Sequence, residues 1–200
     1  MGFLFFIGEK KMVLSPILKK LMFVRQFDID KGKVTLLGQR QIMLDASVLL
    51  ELQDIDESKL YDVAKKAGFS NIKGIVQHAK VYGRVKEIFS AEITDLGKKI
   101  GETDEGTIKT LEEIFDLYGL GEMNIEEIDN DKKQAIVSVR ESVIAEEWIG
   151  KNKKKSKEAV CSLTAGILAG VFSFIFEKKV DCVEAKCKAQ GNSNCLFKVA

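Results

Sequence analysis

This sequence predicts an α+β fold: an antiparallel sheet covered by helices on one face, with a zinc-pinned C-terminal hairpin. Three observations carry that expectation. Alternating apolar residues mark strands, as in Gln134–Val139, where Ala135, Val137 and Val139 share a face. Apolar residues at threes and fours mark helices, as in Ile75, Ala79, Tyr82, Val85, Ile88 and Phe89. Finally, all four cysteines crowd between Cys161 and Cys195, around a predicted terminal hairpin.

The elements follow in order. Leu21–Asp28 reads as a strand, Asp30–Lys33 as a turn and Val34–Leu37 as the partner strand. Gly38 leads to a further strand at Gln41–Leu44, and Asp45 is placed to cap a short helix through Leu52. Asp56-Glu57-Ser58 opens the next helix, which carries Leu60, Val63 and Ala64 inward and stops at Gly68. A long helix spans about 72–100, and another spans Thr107–Tyr118, burying Ile108, Leu111, Ile114, Phe115 and Leu117 before Gly119-Leu120-Gly121. Strands at Met123–Ile128 and Gln134–Val139 flank the turn Asp129–Lys132.

The run from Ala159 to Phe176 carries no charge, so a membrane span has to be weighed. It is barely long enough and is interrupted by Cys161, Ser162, Thr164, Gly166, Gly170 and Ser173. Small residues at 162, 165, 166, 169, 170 and 173 make one helical face suited to close packing. A central, buried helix is the expectation, with no membrane span. Two last strands, Lys179–Lys188 and Cys195–Val199, are joined by the turn Gln190–Asn194.

Composition narrows the class. A chain of 200 residues with 46% hydrophobic and 30% charged residues can bury one domain's core. Residues 1–20 read as an N-terminal extension and 21–200 as a single domain. Lys+Arg of 31 against Asp+Glu of 30 leaves a formal charge of +1, which argues against nucleic acid as the main partner. The apolar start Met1–Ile7 is too short for a signal peptide, and its lysines follow it, so a cytoplasmic location is expected. Thiols stay reduced there, and clustered cysteines then read as metal ligands rather than disulfides.

Zinc prefers four soft or borderline ligands in a tetrahedron. By chemistry alone Cys161, Cys182, Cys187 and Cys195 are the plainest set, with Glu184 beside them. Strand parity complicates this, because Cys182 and Glu184 point to one face and Cys187 to the other. Glu184 and Cys187 can share an ion only if the strand kinks or bulges between them. The bland alternative is four reduced cysteines buried as small hydrophobes.

The run Val160-Cys161-Ser162-Leu163-Thr164-Ala165-Gly166-Ile167-Leu168-Ala169-Gly170 is followed by Glu184-Ala185-Lys186-Cys187-Lys188-Ala189-Gln190-Gly191 and Cys195-Leu196-Phe197. Together they resemble the 4-vinyl reductase domain family over about residues 134–199. That module also occurs in aromatic-sensing transcription activators, and its fold is similar to that of a subunit of the TRAPP vesicle-tethering complex. The resemblance implies a structural zinc ion held by Cys161, Glu184, Cys187 and Cys195, with Cys182 a bystander. It further implies a homodimer that binds or senses a small hydrophobic molecule without catalysing a reaction. Two alternatives stand beside that reading: a subunit of a tetrapyrrole vinyl reductase, or a protein-interaction module of the tethering type.

His78, Tyr82, Tyr118 and Trp148 are candidate polar or aromatic contacts for a ligand. The pocket tryptophan of the phenol sensors falls near Arg140 here and their pocket histidine near Glu112, so that pair is missing. Arg140 is left either to face an acidic head group or to form a surface salt bridge.

Overall fold

The computed structural model describes residues 27–30, 33–36, 39–42, 44–82 and 105–200. Its first strands form a small antiparallel meander of β1 (Phe27–Asp30), β2 (Lys33–Leu36) and β3 (Gln39–Gln41). Asp30 pairs directly with Lys33 at the end of this ladder. The two residues expected at the turn's ends therefore extend the ladder, and the first strand shifts towards them. Its expected start at 21–26 and the extension at 1–20 lie outside the described residues. β3 ends at Gln41, short of the expected Leu44, and Ile42 and Leu44 stand exposed. These strands make a sheet of their own, where the alternation by itself suggested one continuous sheet.

α1 (Ala46–Ile55) begins as expected, with the Asp45 side chain accepting from the Ser47 N–H at 2.9 Å. It runs on past Leu52 to Ile55. α2 (Glu57–Tyr82) then passes straight through Gly68. Its buried stripe is Ala64, Gly68, Ile72 and Ile75, spaced by threes and fours. Val63 falls off that stripe and is 60% exposed, against its expected inward placement. Residues 83–100 of the expected long helix lie outside the described residues.

α3 (Glu105–Leu117) is followed by Gly119 and Gly121, both in the left-handed region with φ of +71° and +125°. β4 (Glu122–Asp129), β5 (Gln134–Arg140), β6 (Cys182–Lys186) and β7 (Cys195–Val199) form the main antiparallel sheet in the order β4-β5-β7-β6. The crossover from β5 to β6 contains α4 (Val143–Asn152) and α5 (Ser162–Ile175). α3 hangs on the sheet's edge through carboxylates one turn apart. Glu112 accepts from the Ile125 N–H at 2.8 Å and Asp116 from the Met123 N–H at 3.1 Å. They satisfy amides that an edge strand otherwise leaves open.

α5 lies between the sheet and α2. Towards the core, Leu168 and Phe172 join Val137, Val139, Phe197 and Val199 in one buried cluster. Towards α2 it presents the small-residue face. A Cβ on Gly166 would sit 2.5 Å from the Tyr61 carbonyl oxygen, and one on Gly170 closer still to that of Lys65. Gly68 makes the reciprocal approach, where a Cβ would collide with the Ile167 carbonyl oxygen. Gly68 is thus a packing position and not a helix stop. No described helix is long and apolar enough to cross a membrane, and α5 spends its apolar surface inside the domain.

Backbone-to-backbone contact of this kind leaves no flexible side chain to yield. Gly170→Ala is expected to cost about 3 kcal/mol in a urea unfolding titration. Gly150→Ala, in exposed helix with nothing within 4 Å of the added carbon, is expected to be neutral or to stabilise by less than about 1 kcal/mol.

Candidate metal centre and apolar cavity

The penultimate strand decides which residues meet. Glu184 pairs with Phe197, but Lys186, not Ala185, pairs with Leu196. Ala185 is therefore the extra residue of a β-bulge. The bulge reverses side-chain parity, bringing Cys187 to the side of Glu184 and Cys195. Strand parity required such a bulge for those two residues to meet, and the strand has it.

Cys161 reaches the same point as the N-cap residue of α5. One ligand atom each from Cys161, Glu184, Cys187 and Cys195 lies within 4.8 Å of all the others. The three cysteines are buried and Glu184 is half-buried. The Cys161 sulfur is 3.9 Å from that of Cys187 and 3.7 Å from that of Cys195. A disulfide would need about 2.0 Å, and all four cysteines are free. Two sulfurs bound tetrahedrally to one zinc at about 2.3 Å each would stand about 3.8 Å apart. Cys182 is buried elsewhere, with burial pushing its thiol up to about 12, and its N–H donates to the Tyr61 hydroxyl at 3.0 Å.

Burial and mutual hydrogen bonds move the clustered groups away from their ordinary titration ranges. Burial raises the Glu184 carboxyl to about 7, even though one of its oxygens accepts from the Cys161 N–H at 2.9 Å. Its other oxygen is buried with no hydrogen-bond partner among the described residues. Hydrogen bonds from Cys161 and Cys195 hold the Cys187 thiol well below its usual range, while the same network pushes Cys161 up. Lys188, which directly follows Cys187, directs its ammonium to Glu141 and Glu146 instead. A buried carboxylate oxygen and thiols at these spacings could hold a metal ion, and the set fits one.

Two further polar contacts support the sulfurs. The Ser142 hydroxyl lies 3.4 Å from the Cys161 sulfur and the Lys188 N–H donates to Cys195 at 3.3 Å. Ser142 is the N-cap of α4, yet its side chain makes no cap bond and is fully buried against the sulfur. Sequence reading misses it, because a serine before a helix is spelled like any cap.

A second feature lies between α2, α3 and α5. It is a cavity of about 170 Å³, lined by Ile72, Ile75, Phe115, Tyr118, Met123 and Val171 among others. Among the described residues no Asp, Glu, Lys, Arg or His belongs to its lining. Of the expected ligand contacts, Tyr118 lines the cavity and Trp148 packs against the core on α4. His78 and Tyr82 lie on α2, with side chains outside the described residues. Arg140 is exposed and bonds Glu122 at 2.5 Å, so it is the surface salt bridge and not a head-group contact. Lys151 bonds Glu51 and Asp54 of α1, and the Lys155 chain covers Gly191.

The 4-vinyl reductase domain pattern matches residues 136–200. Over 121 residues the chain is 30% identical to the uncharacterized protein MJ1460 of Methanocaldococcus jannaschii, spanning 60% of this chain and 72% of that one. The chain belongs to the 4-vinyl reductase domain family. A second uncharacterized protein of that organism, MJ0745, is 29% identical over 119 residues, covering 58% of this chain and 60% of its own length. In fold the chain is similar to the phenol-responsive sensory domain of the transcription activator PoxR. The TM-score is 0.63 at 16% identity, over 93% of this chain and 90% of that domain. All four clustered residues fall inside the segment that the family pattern matches. The cavity is walled by α5 from within that segment and by α2 and α3 from outside it.

Cobalt(II) titration distinguishes the two cysteine sets. Thiolate-to-cobalt charge-transfer bands and the visible bands of a tetrahedral ion are expected for the native chain and for Cys182→Ser. Cys187→Ser is expected to lose the charge-transfer intensity.

Proposed function

We propose that the chain is a zinc-stapled module that binds or senses a small hydrophobic molecule in the cavity between α2, α3 and α5. The observation that carries this reading is the cavity itself, an apolar space of about 170 Å³ in a sensor-like fold. An engineered cavity of about 150 Å³ takes up benzene, so the space suits one ring and not the four pyrroles of a tetrapyrrole. This size favours the small-molecule reading over a reductase subunit acting on a macrocycle. The PoxR domain, of similar fold, is a phenol-responsive sensory domain, and a sensing role here is of that general kind.

Zinc is the ion that three thiolates and one carboxylate suit best, being indifferent to distortion and fond of sulfur. Cys161, Glu184, Cys187 and Cys195 would hold it. With all four places taken by protein, the ion would supply no open coordination position and would act as a staple. It would tie the start of α5 to the terminal hairpin, so that the wall α5 contributes to the cavity stays in place.

Purified without chelators, the protein is expected to carry one zinc per chain by elemental analysis. Removing it, or making Cys187→Ser, is expected to lower the melting temperature by roughly 10 °C. Zinc is expected to leave as pH falls from 7 towards about 5, because the thiolates must then be reprotonated. A metal-free protein with unchanged melting temperature would overturn the staple. Native mass spectrometry after gentle purification tests the ligand: a retained mass of one-ring size supports it.

A further inference from the structure

Among the polar atoms of the cavity wall, the Tyr118 hydroxyl stands out. It is buried and has no hydrogen-bond partner among the described residues. Asn71, the other polar side chain at the wall of comparable reach, already has an interaction of its own. A phenylalanine would fill the same volume without desolvating an oxygen, so the hydroxyl needs a partner that the fold leaves unmade. The ring is fixed from behind: Tyr118 ends α3, which Glu112 and Asp116 tie to β4, and its N–H donates to the Ile114 and Phe115 carbonyls.

We infer that Tyr118 is the polar anchor of the cavity and that the occupant is a neutral, one-ring-sized molecule carrying an oxygen that bonds to its hydroxyl. The inference rests on the reading of the cavity as a ligand site. Neutrality follows from the lining, which among the described residues holds no ionic side chain to compensate a carboxylate, phosphate or ammonium. Burial also raises the Tyr118 phenol above its ordinary value, so its proton stays on the oxygen and can be donated to a hydroxyl or carbonyl. Size follows from the volume. Tyr118 lies outside the segment that the family pattern matches.

Phenol and toluene form a test pair, alike in shape but differing in the oxygen, with benzoate as the charged probe. Calorimetric titration is expected to show both neutral rings binding and benzoate not. Tyr118→Phe is expected to weaken phenol at least fivefold and to leave toluene within twofold. Val171→Trp, which fills the cavity, is expected to abolish both, with far-UV circular dichroism confirming that each variant is folded. Equal loss of phenol and toluene in Tyr118→Phe, or no loss of either, would overturn the anchor while leaving the cavity as the site. Binding that survives Val171→Trp, or no binding of any probe, would overturn the cavity reading itself and the anchor with it.

Discussion

The hydrogen bond from the Cys161 N–H to Glu184 joins the first residue of the buried helix to a strand far along the chain. Much of the domain is arranged around that contact. It puts the Cys161 sulfur beside those of Cys187 and Cys195, and it places α5 with one side on the sheet and the other on α2. A carboxylate with one buried oxygen unpartnered is an unfavourable group to leave alone in a core. The bulge at Ala185 belongs to the same arrangement. Without it the hairpin would pair in regular register and Cys187 would face away.

Once α5 is set in that position, its two faces do different work. Towards the sheet its large residues make the core. Towards α2, Gly166 and Gly170 allow the helices to meet backbone to backbone, with Gly68 answering from the other side. So close an approach along one seam leaves the third helix, α3, to span the remaining gap. α3 is held at its end by two carboxylates on an edge strand. The cavity is the space left where its side chains do not fully bridge to α2 and α5. The cysteine cluster and the cavity are thus separate in chemistry but share α5.

The parts legible in the sequence are those with local causes. Alternation marked β4, β5 and β7, a charge-free run marked α5, and Asp45 marked the start of α1, because each signal is written in neighbouring residues. The C-terminal cysteines and Glu184 were legible through spacing and family likeness, and the structure brings that set together and leaves Cys182 apart. What local signals misplaced is equally specific. Gly68 looked like a helix stop because glycine is a poor helix former, and Val63 looked inward because apolar residues usually are. Both were decided by where α5 lies against α2.

The sequence by itself determined the residue types that make a thiol-rich site, the small face of one helix and the family to which the chain belongs. Tertiary structure alone decided that Ser142 serves a sulfur instead of capping its helix, and that Tyr118 keeps an unpaired hydroxyl at an apolar wall. It also decided that Arg140 stays at the surface with Glu122. The physical reason is range. Periodicity and capping act within a turn or two of chain, whereas the partner of a buried hydroxyl or sulfur is set by elements that meet only when the domain is packed.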